Sequence, residues 1–579
     1  MDYSSDNSDY DPDYYPSDEP SDYSDIGDSS SSDDIPLSSL RLRIPQRADS
    51  PSMPSVFGTT ANNITEDMIV KQYVDNIKWV PPKDPGPQGE QFTGTLGMKD
   101  IYQGILADAQ PLDYFELFLT PDIMDLIVDQ TNIYASQYLL TNDTSAQSRL
   151  HSWKPVDSAE MWKFFGLIGW MGLVKLPAIR DYWRKHKLYG LPFARTVMPR
   201  NRFEMILKFL HFSNNEEDTQ NDRLFKVRNV MEKFIKNYQN SYTPGEKICV
   251  DESLIPWRGR LIFRQYIPNK RHRYGIKVFK LCTDKGYTYN LSVYCGKSLS
   301  TVKDMSEKAV MEMTEGLLDA GRTLYTDNYY TSIPLAYRLK HRKTDLVGTF
   351  RQNRKHASKE VVRQTLKRGE LAGMETDDGK IALTKWKDKR YVTVLSTKHS
   401  AKSMETIRTK TGRSILKPSS IVDYNTGKSS IDVSDQMASY SSALRRCVKW
   451  YRKLIFELVW GTSLVNAYFL YSKYSRQSKL TITEFRELVI EQMIDKHKGN
   501  VTEPEKEPQA ASTSAVHKLV DNIIENSPKP KKGRCKGCYA VYGKKGKIID
   551  GKRKYAAQVI TICNICKCFY CRKCFNKAH

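Results

Sequence analysis

The sequence predicts a multidomain chain, with a mixed α/β core flanked by helices and a small metal-binding module at its end. Three observations predict it. Helical periodicity from about residue 110 to 245 gives way to β-branched and aromatic runs between 246 and 350. Two short apolar runs in that second stretch, Ile248-Cys249-Val250 and Leu324-Tyr325-Thr326, each end on an aspartate, Asp251 and Asp327. Seven of the eleven cysteines fall in the last 45 residues, mostly as CxxC pairs.

Charge narrows the class of partner. The 579 residues carry a formal +22, yet residues 1–40 hold twelve acids and no Lys or Arg. The rest of the chain is therefore more basic than the total, and so basic a body expects a polyanion, most commonly nucleic acid. A hydrophobic fraction of 40% suffices for a core. The longest uncharged apolar stretch, Phe164 to Val174, is too short to cross a bilayer, so no membrane partner is expected. No charged-then-apolar leader is read at the N-terminus, and clustered CxxC pairs without one favour zinc over disulfides.

Taken in order, residues 1–105 are rich in Asp, Ser, Tyr and Pro and are expected to be a disordered acidic region. Residues 106–245 form a first helical part. There Asp157 is placed to cap Ser158 to Val174, with Glu160 three residues on, and Trp162, Phe165 and Gly169 share one side as core. Residues 246–355 begin the α/β core. Strands are expected in Leu261 to Ile267, Gly275 to Cys282, Tyr287 to Cys295 and Leu324 to Thr326, and a helix in Ser332 to Leu339. Residues 356–418, rich in Lys and Arg with short β-like runs such as Tyr391 to Leu395, read as an insertion. The core returns over 419–441, and helices follow over 442–499, Leu454 to Tyr474 being the clearest. Residues 500–532 read as a linker and 533–579 as a separate module.

The aspartates carry the chemistry. Asp251 is followed by Arg258, Arg260, Arg264, Lys270, Arg271, Arg273 and Lys277, and a third acidic site lies at Asp432 and Asp435. Phosphoryl transfer on a nucleic acid needs an in-line nucleophile and charge relief on the leaving oxygen. Two divalent cations about 4 Å apart supply both. Asp is short and hard enough to hold Mg²⁺, and surrounding cations hold phosphates. A lone Asp after a strand is more often a turn or helix cap. Three in similar basic company are the signal.

These residues carry a family resemblance. Val250-Asp251-Glu252-Ser253-Leu254, Trp257-Arg258-Gly259-Arg260, Tyr266-Ile267-Pro268-Asn269-Lys270 and Tyr274-Gly275-Ile276-Lys277 resemble the first catalytic block of the piggyBac transposases. Thr326-Asp327-Asn328-Tyr329-Tyr330-Thr331-Ser332 resembles the second block, and Asp432-Val433-Ser434-Asp435-Gln436 the third. The likeness covers roughly residues 100 to 579, in order. It implies a ribonuclease-H-like catalytic core interrupted by the insertion at 356–418. The parts at 106–245 and 442–499 would be a helical dimerisation and DNA-binding domain. It implies a DDD-type, cut-and-paste DNA transposase that excises through hairpin ends and integrates at TTAA. Asp251, Asp327 and Asp432 would hold two Mg²⁺, with Asp435 a further carboxylate beside them. The third block departs in one respect: two glycines usually precede its Asp, where this chain has Ser430-Ile431.

The resemblance also assigns DNA contacts. Arg351, Arg354 and Lys355 match a position that binds target DNA, and Arg258 and Arg260 join the phosphate-holding set. Arg445-Arg446-Cys447-Val448-Lys449-Trp450 matches a basic-aromatic block. An indole beside cations can stack on an unpaired base, although Trp450 also suits a buried start to the next helix. Expected partners are double-stranded DNA, both terminal inverted repeats and TTAA target, and a second copy of the chain. A nuclear setting is expected, with Pro530-Lys531-Lys532-Gly533-Arg534 as an import signal.

At the end of the chain, Cys535-x2-Cys538, Cys563-x2-Cys566 and Cys571-x2-Cys574 have the spacing with which two thiolates reach one tetrahedral Zn²⁺. The family's cysteine-rich domain implies a cross-brace with two zincs. Alternating pairing would put Cys535, Cys538, Cys571 and Cys574 on one ion. Cys563, Cys566 and His579 would hold the other, with Cys568, the terminal carboxylate or water as fourth ligand. Residues 529–579 hold fifteen Lys or Arg against one acid, Asp550, which favours DNA as this module's partner. Two other readings remain open at this point. One is a domesticated, transposase-derived DNA-binding protein that does not cut; the other is a cross-brace protein-interaction or ubiquitin-ligase module.

Overall fold

The computed structural model describes residues 66–99, most of 102–498, the strand Leu519–Asp521 and most of 532–578. The acidic residues 1–65 lie outside the described part. Residues 66–99, expected to be disordered, are instead part of the fold. Helix α1 (Glu66–Asp75) buries Val70 and Val74, four residues apart and so on one face. Strand β1 (Trp79–Val80) pairs with Thr376 and Glu375. A composition average over the acidic tail hid this short amphipathic segment.

Four longer helices precede the sheet: α2 (Pro121–Thr141), α3 (Ser158–Leu173), α4 (Arg200–Phe209) and α5 (Arg228–Ser241). Asp157 caps α3 as expected, its side chain accepting from Glu160 N. Trp162 and Phe165 are buried, and Gly169 lies under Trp460, where a Cβ would come within 2.4 Å of the indole. The predicted aromatic face of α3 is core.

The sheet is built from β2 (Lys247–Pro256), β3 (Gln265–Tyr266), β4 (Tyr274–Thr283), β5 (Tyr287–Val293), β6 (Thr323–Thr326) and β7 (Asp345–Thr349). It continues through β8 (Leu371–Thr376), β9 (Ala382–Lys387) and β10 (Tyr391–Ser396). The order is β1-β8-β9-β10-β7-β6-β2-β4-β3, with β5 also on β4, ten strands in all. β2, β6 and β7 run parallel, and β4 runs antiparallel to both its neighbours, β2 and β5. Helix α6 (Met305–Thr314) lies between β5 and β6, and helix α7 (Ile333–His341) makes the crossover from β6 to β7 that parallel strands need. The strand expected over Leu261 to Ile267 shrinks to Gln265–Tyr266.

The stretch read as an insertion does not stand apart. β10 pairs with β7 through Val394↔Thr349, Leu395↔Gly348 and Ser396↔Val347, so β8 to β10 extend the main sheet. The separate piece is a hairpin, β11 (Met404–Arg408) with β12 (Ser414–Pro418).

Each face of the central strands is covered. Ile248, Val250, Leu281, Leu324 and Leu346 pack with Val310, Leu335 and Leu339 from α6 and α7. On the other face Cys249, Cys282, Tyr325 and Val347 lie under α8 (Ser419–Gly427) and α9 (Ser429–Ser439), which contribute Ile421, Tyr424 and Ile431. Burial on both faces explains the continuous apolar runs before Asp251 and Asp327.

The chain then enters helix α10 (Trp450–Tyr474), which contains a π turn at Leu458–Ser463, and helix α11 (Ile482–Lys496). Among the described residues α10 alone has the length and apolarity to cross a membrane. It is buried inside the fold, packed on the short helix Pro111–Glu116, on α11 and on β5. Beyond it, Leu519–Asp521 pairs with Thr561–Cys563, so the segment read as linker supplies a strand to the cysteine-rich module.

Candidate active site

Strand register sets two carboxylates side by side. The parallel pairing of β2 with β6 runs from Lys247↔Thr323 to Val250↔Thr326 and stops there. Asp251 and Asp327 are the next residues on the two strands. β2 itself does not end at Asp251, as the sequence suggested. It continues to Pro256 on β4, with Asp251 opposite Lys280. The pairing with β6 ends because the chain turns at Asp327, whose Oδ1 accepts from Tyr329 N at 2.6 Å.

Side chains alternate along a strand. Cys249, Asp251 and Ser253 therefore share one face of β2, and Tyr325 and Asp327 share one face of β6. This is the face under α8 and α9. Cys249 Sγ donates to Lys428 O at 3.6 Å, and Ser253 Oγ donates to Asp435, lying 2.6 and 2.8 Å from its two oxygens. Gly427 permits the close approach, since a Cβ there would lie 2.3 Å from the Tyr325 ring. Asp432 stands in the first turn of α9, beside Ile431, which packs with Cys249 and Tyr325. Ser430 and Ile431, which stand where the family usually has glycines, are both buried. Ile431 is thus an apolar anchor of α9 on the sheet.

The three carboxylates share one electrostatic neighbourhood. Burial, then Glu252 and Asp327, pushes the Asp251 carboxyl up to about 7. Burial also raises Asp327. The Cys249 thiol is raised by burial first and then by Asp251, Cys282, Asp432 and Asp327, so one buried sulfur feels all three aspartates. Their oxygens do not all close to within 4.8 Å of one another; among the described residues only a cysteine set does. Glu252 is balanced by Lys277 at 3.6 Å and Tyr330 OH at 3.3 Å. Crowded carboxylates that resist ionising together fit hard divalent cations, whose charge would relieve both burial and mutual repulsion. Asp435 differs from the other three, because Lys280 Nζ holds its Oδ1 at 3.0 Å in addition to Ser253.

The expected DNA-holding residues divide. Arg258 and Arg260 are exposed in the loop after Trp257. Arg351 Nε donates to Asn328 Oδ1 at 2.8 Å, and Arg354 donates to the Asn328 and Tyr329 carbonyls, so both brace the loop that carries Asp327. Lys355 is exposed beside them. Arg446 is exposed, whereas Arg445 turns inward to Tyr182 OH at 2.5 Å and the Leu176 carbonyl. Lys449 N-caps α10, and Trp450 opens that helix with its ring packed edge-on against Phe263, centroids 5.2 Å apart. Trp450 thus starts the helix, and it is half-buried rather than buried.

In the terminal module, Cys535, Cys538, Cys571 and Cys574 form one group. Cys535–Cys571, Cys538–Cys571 and Cys538–Cys574 are 3.7, 3.8 and 3.5 Å apart. A tetrahedron with bonds of ~2.3 Å has edges of ~3.8 Å, so the donor set fits one Zn²⁺. Cys571 N also donates to Cys535 Sγ at 3.2 Å. These four are the first and third CxxC pairs. Cys563 is buried and its N–H donates to Cys568 O at 3.0 Å, while Cys566 and His579 lie outside the described residues.

Comparison with known proteins gives the family and the fold. A family model described as Transposase IS4 matches residues 110–468. The human PiggyBac transposable element-derived protein 3 is 26% identical over 455 residues, covering 74% of this chain and 72% of the relative. The chain belongs to the piggyBac family of transposases. The human PiggyBac transposable element-derived protein 2 is 22% identical over 452 residues, covering 75% of this chain and 73% of the relative. In fold, the chain resembles a piggyBac transposase solved by cryo-EM as a synaptic complex with hairpin DNA. That match has a TM-score of 0.62 at 23% identity and covers 83% of this chain and 98% of the other.

Sequence reasoning about the piggyBac blocks missed Lys280 and Ser253. The signal was available in the alternation Cys249-Asp251-Ser253, which places Ser253 on the carboxylate face. Lys280 could not be found this way, because only the β2–β4 register brings it opposite Asp251.

Proposed function

We propose that this chain is a cut-and-paste DNA transposase in which Asp251, Asp327 and Asp432 hold two Mg²⁺. The observation that carries this is the placement of Asp251 and Asp327 just past one parallel strand pair, with Asp432 on the helix packed over the same face. The strand order β5-β4-β2-β6-β7, with three strands antiparallel and two parallel, supports a ribonuclease-H-like core. Two cations need donors on either side of a gap of ~4 Å, a wider span than one ion requires, which accommodates carboxylates that do not close on a single point. When bound, the cations would activate the attacking oxygen and take up charge on the leaving oxygen. Asp251 and Asp327 are held by the sheet and Asp432 by α9. Arg258, Arg260, Arg446 and Lys355 are exposed to meet phosphates, and Arg351 and Arg354 fix the loop of Asp327. Asp435 acts on the site from behind, through α9.

The solved relative's hairpin DNA supports excision through hairpin ends, and TTAA is the target expected of the family. The cysteine group would hold one Zn²⁺ and position the basic module on the element's terminal repeats. A second Zn²⁺ would sit on Cys563, Cys566 and His579, completed by Cys568 or another donor. The protein would act in the nucleus as a dimer or larger assembly. The test is a plasmid excision assay with the element's own ends. Wild type should excise and restore the TTAA, and Asp251→Ala, Asp327→Ala and Asp432→Ala should each fall at least ~10³-fold. Excision by Asp251→Ala at the wild-type rate would falsify this assignment. The human relatives' names describe them as element-derived, which favours one second reading. Wild type that binds the repeats but never cuts would be a domesticated DNA-binding protein.

A further inference from the structure

A buried lysine lies behind the carboxylates. Lys280, on β4 opposite Asp251, is 3% exposed. Its ammonium donates to Asp435 Oδ1 at 3.0 Å, and the Ser253 hydroxyl lies 2.6 and 2.8 Å from the two Asp435 oxygens. Glu457, at the end of the α-helical start of α10, faces the same ammonium. Burial pulls Lys280 down, but Asp435 and Glu457 outweigh it, so the lysine stays above its ordinary value and charged. Arg486 of α11, also buried, donates to Ser441 O at 2.9 Å, just past the end of α9.

Burying a charge is costly, and an apolar side chain of that volume would serve stability as well or better. What the charge adds is direction. Asp435 lies three residues after Asp432, so the two share a face of α9. Among the described residues no hydrogen bond or ion pair holds the Asp432 carboxylate. Its place is set by the helix, and the polar tether on that helix face is Lys280 with Ser253.

We propose that Lys280 is a positioning residue: through Asp435 it fixes the rotation of α9, and so where Asp432 stands relative to Asp251 and Asp327. The inference rests on the carboxylate site proposed above. Glu457 of α10 adds to the negative charge that Lys280 meets there.

The test uses the purified full-length protein. Mn²⁺ binding without DNA is followed by electron paramagnetic resonance, alongside Mg²⁺-dependent cleavage of the element's ends, each well below the variant's melting temperature. Lys280→Met should raise the Mn²⁺ and Mg²⁺ midpoints about tenfold or more while leaving DNA affinity unchanged. Lys280→Arg should recover most of the loss. Ser253→Ala, which removes one tether and a small side chain, should shift the midpoints two- to threefold in the same direction. It carries the test if Lys280→Met does not fold. Midpoints unchanged from wild type in the folded variants overturn the proposal. Wild type that binds Mn²⁺ but does not cleave would instead overturn the transposase reading and leave the positioning role to the binding data.

Discussion

Asp251 is the residue on which the site's charge is most finely balanced. Its carboxyl is pushed up to about 7 by burial, then by Glu252 and Asp327. The native state therefore binds this proton more tightly than the unfolded chain does. The associated stability is fully present at low pH and is lost as pH rises through about 7. Asp251→Asn keeps the shape without the charge. In magnesium-free buffer it should raise the melting temperature at pH 8 by roughly 1–3 °C and by a smaller amount at pH 5, because the loss accumulates from the unfolded carboxyl's value near 4 up to about 7, read by scanning fluorimetry. A rise of the same size at both pH values would show that the charge is not the cause. A second residue-scale expectation concerns zinc. Cys538→Ser should remove about one Zn²⁺ per chain by elemental analysis. It should leave the melting of the sheet unchanged, because the cysteine cluster makes its own small core.

The element that matters most is α9, whose anchors include the apolar contact of Ile431, the polar tether of Asp435 and the buried Ser434 hydroxyl 3.3 Å from Thr288 Oγ1. Ile431→Ala should cost about 2–4 kcal/mol in urea denaturation, the usual penalty for emptying a buried aliphatic site. Much of the local pattern could be read in advance. The runs before Asp251 and Asp327 are apolar because both faces of the sheet are covered, and Asp157 with Glu160 marks the start of α3. Pairing across long separations could not be read. Leu371 to Ser396 has the same strand pattern whether it forms a free insertion or joins β7, and only the β10–β7 register decides. Arg445 and Arg446 are identical in type and adjacent, yet one is spent on Tyr182 and Leu176 and the other is exposed. Composition cannot separate them, because the distinction lies in where α3 ends and what packs beside it. The contact of Trp450 with Phe263 was hidden for the same reason.

At the scale of the whole molecule, the acidic and basic parts of the chain are the clearest lever. The twelve acids of residues 1–40 can compete with DNA for the basic remainder. Deleting them should tighten non-specific DNA binding in mobility shifts at low salt, with the difference fading as salt screens it. An unchanged affinity would discard the idea. Trimming further has a different effect. Loss of residues 1–65 should leave the melting temperature within about a degree. Loss through residue 81 should lower it by several degrees, since α1 stacks Tyr73 on Tyr337 at 3.7 Å and β1 closes the outer edge of β8. The terminal module imposes a similar rule at the other end. A fragment begun at Gly533 would leave out Leu519–Asp521 and strip the strand that bears Cys563 of its neighbour. Such a fragment would offer a raw backbone edge to its own copies. Anyone isolating this tail for titration or crystallisation should begin the clone upstream of Leu519.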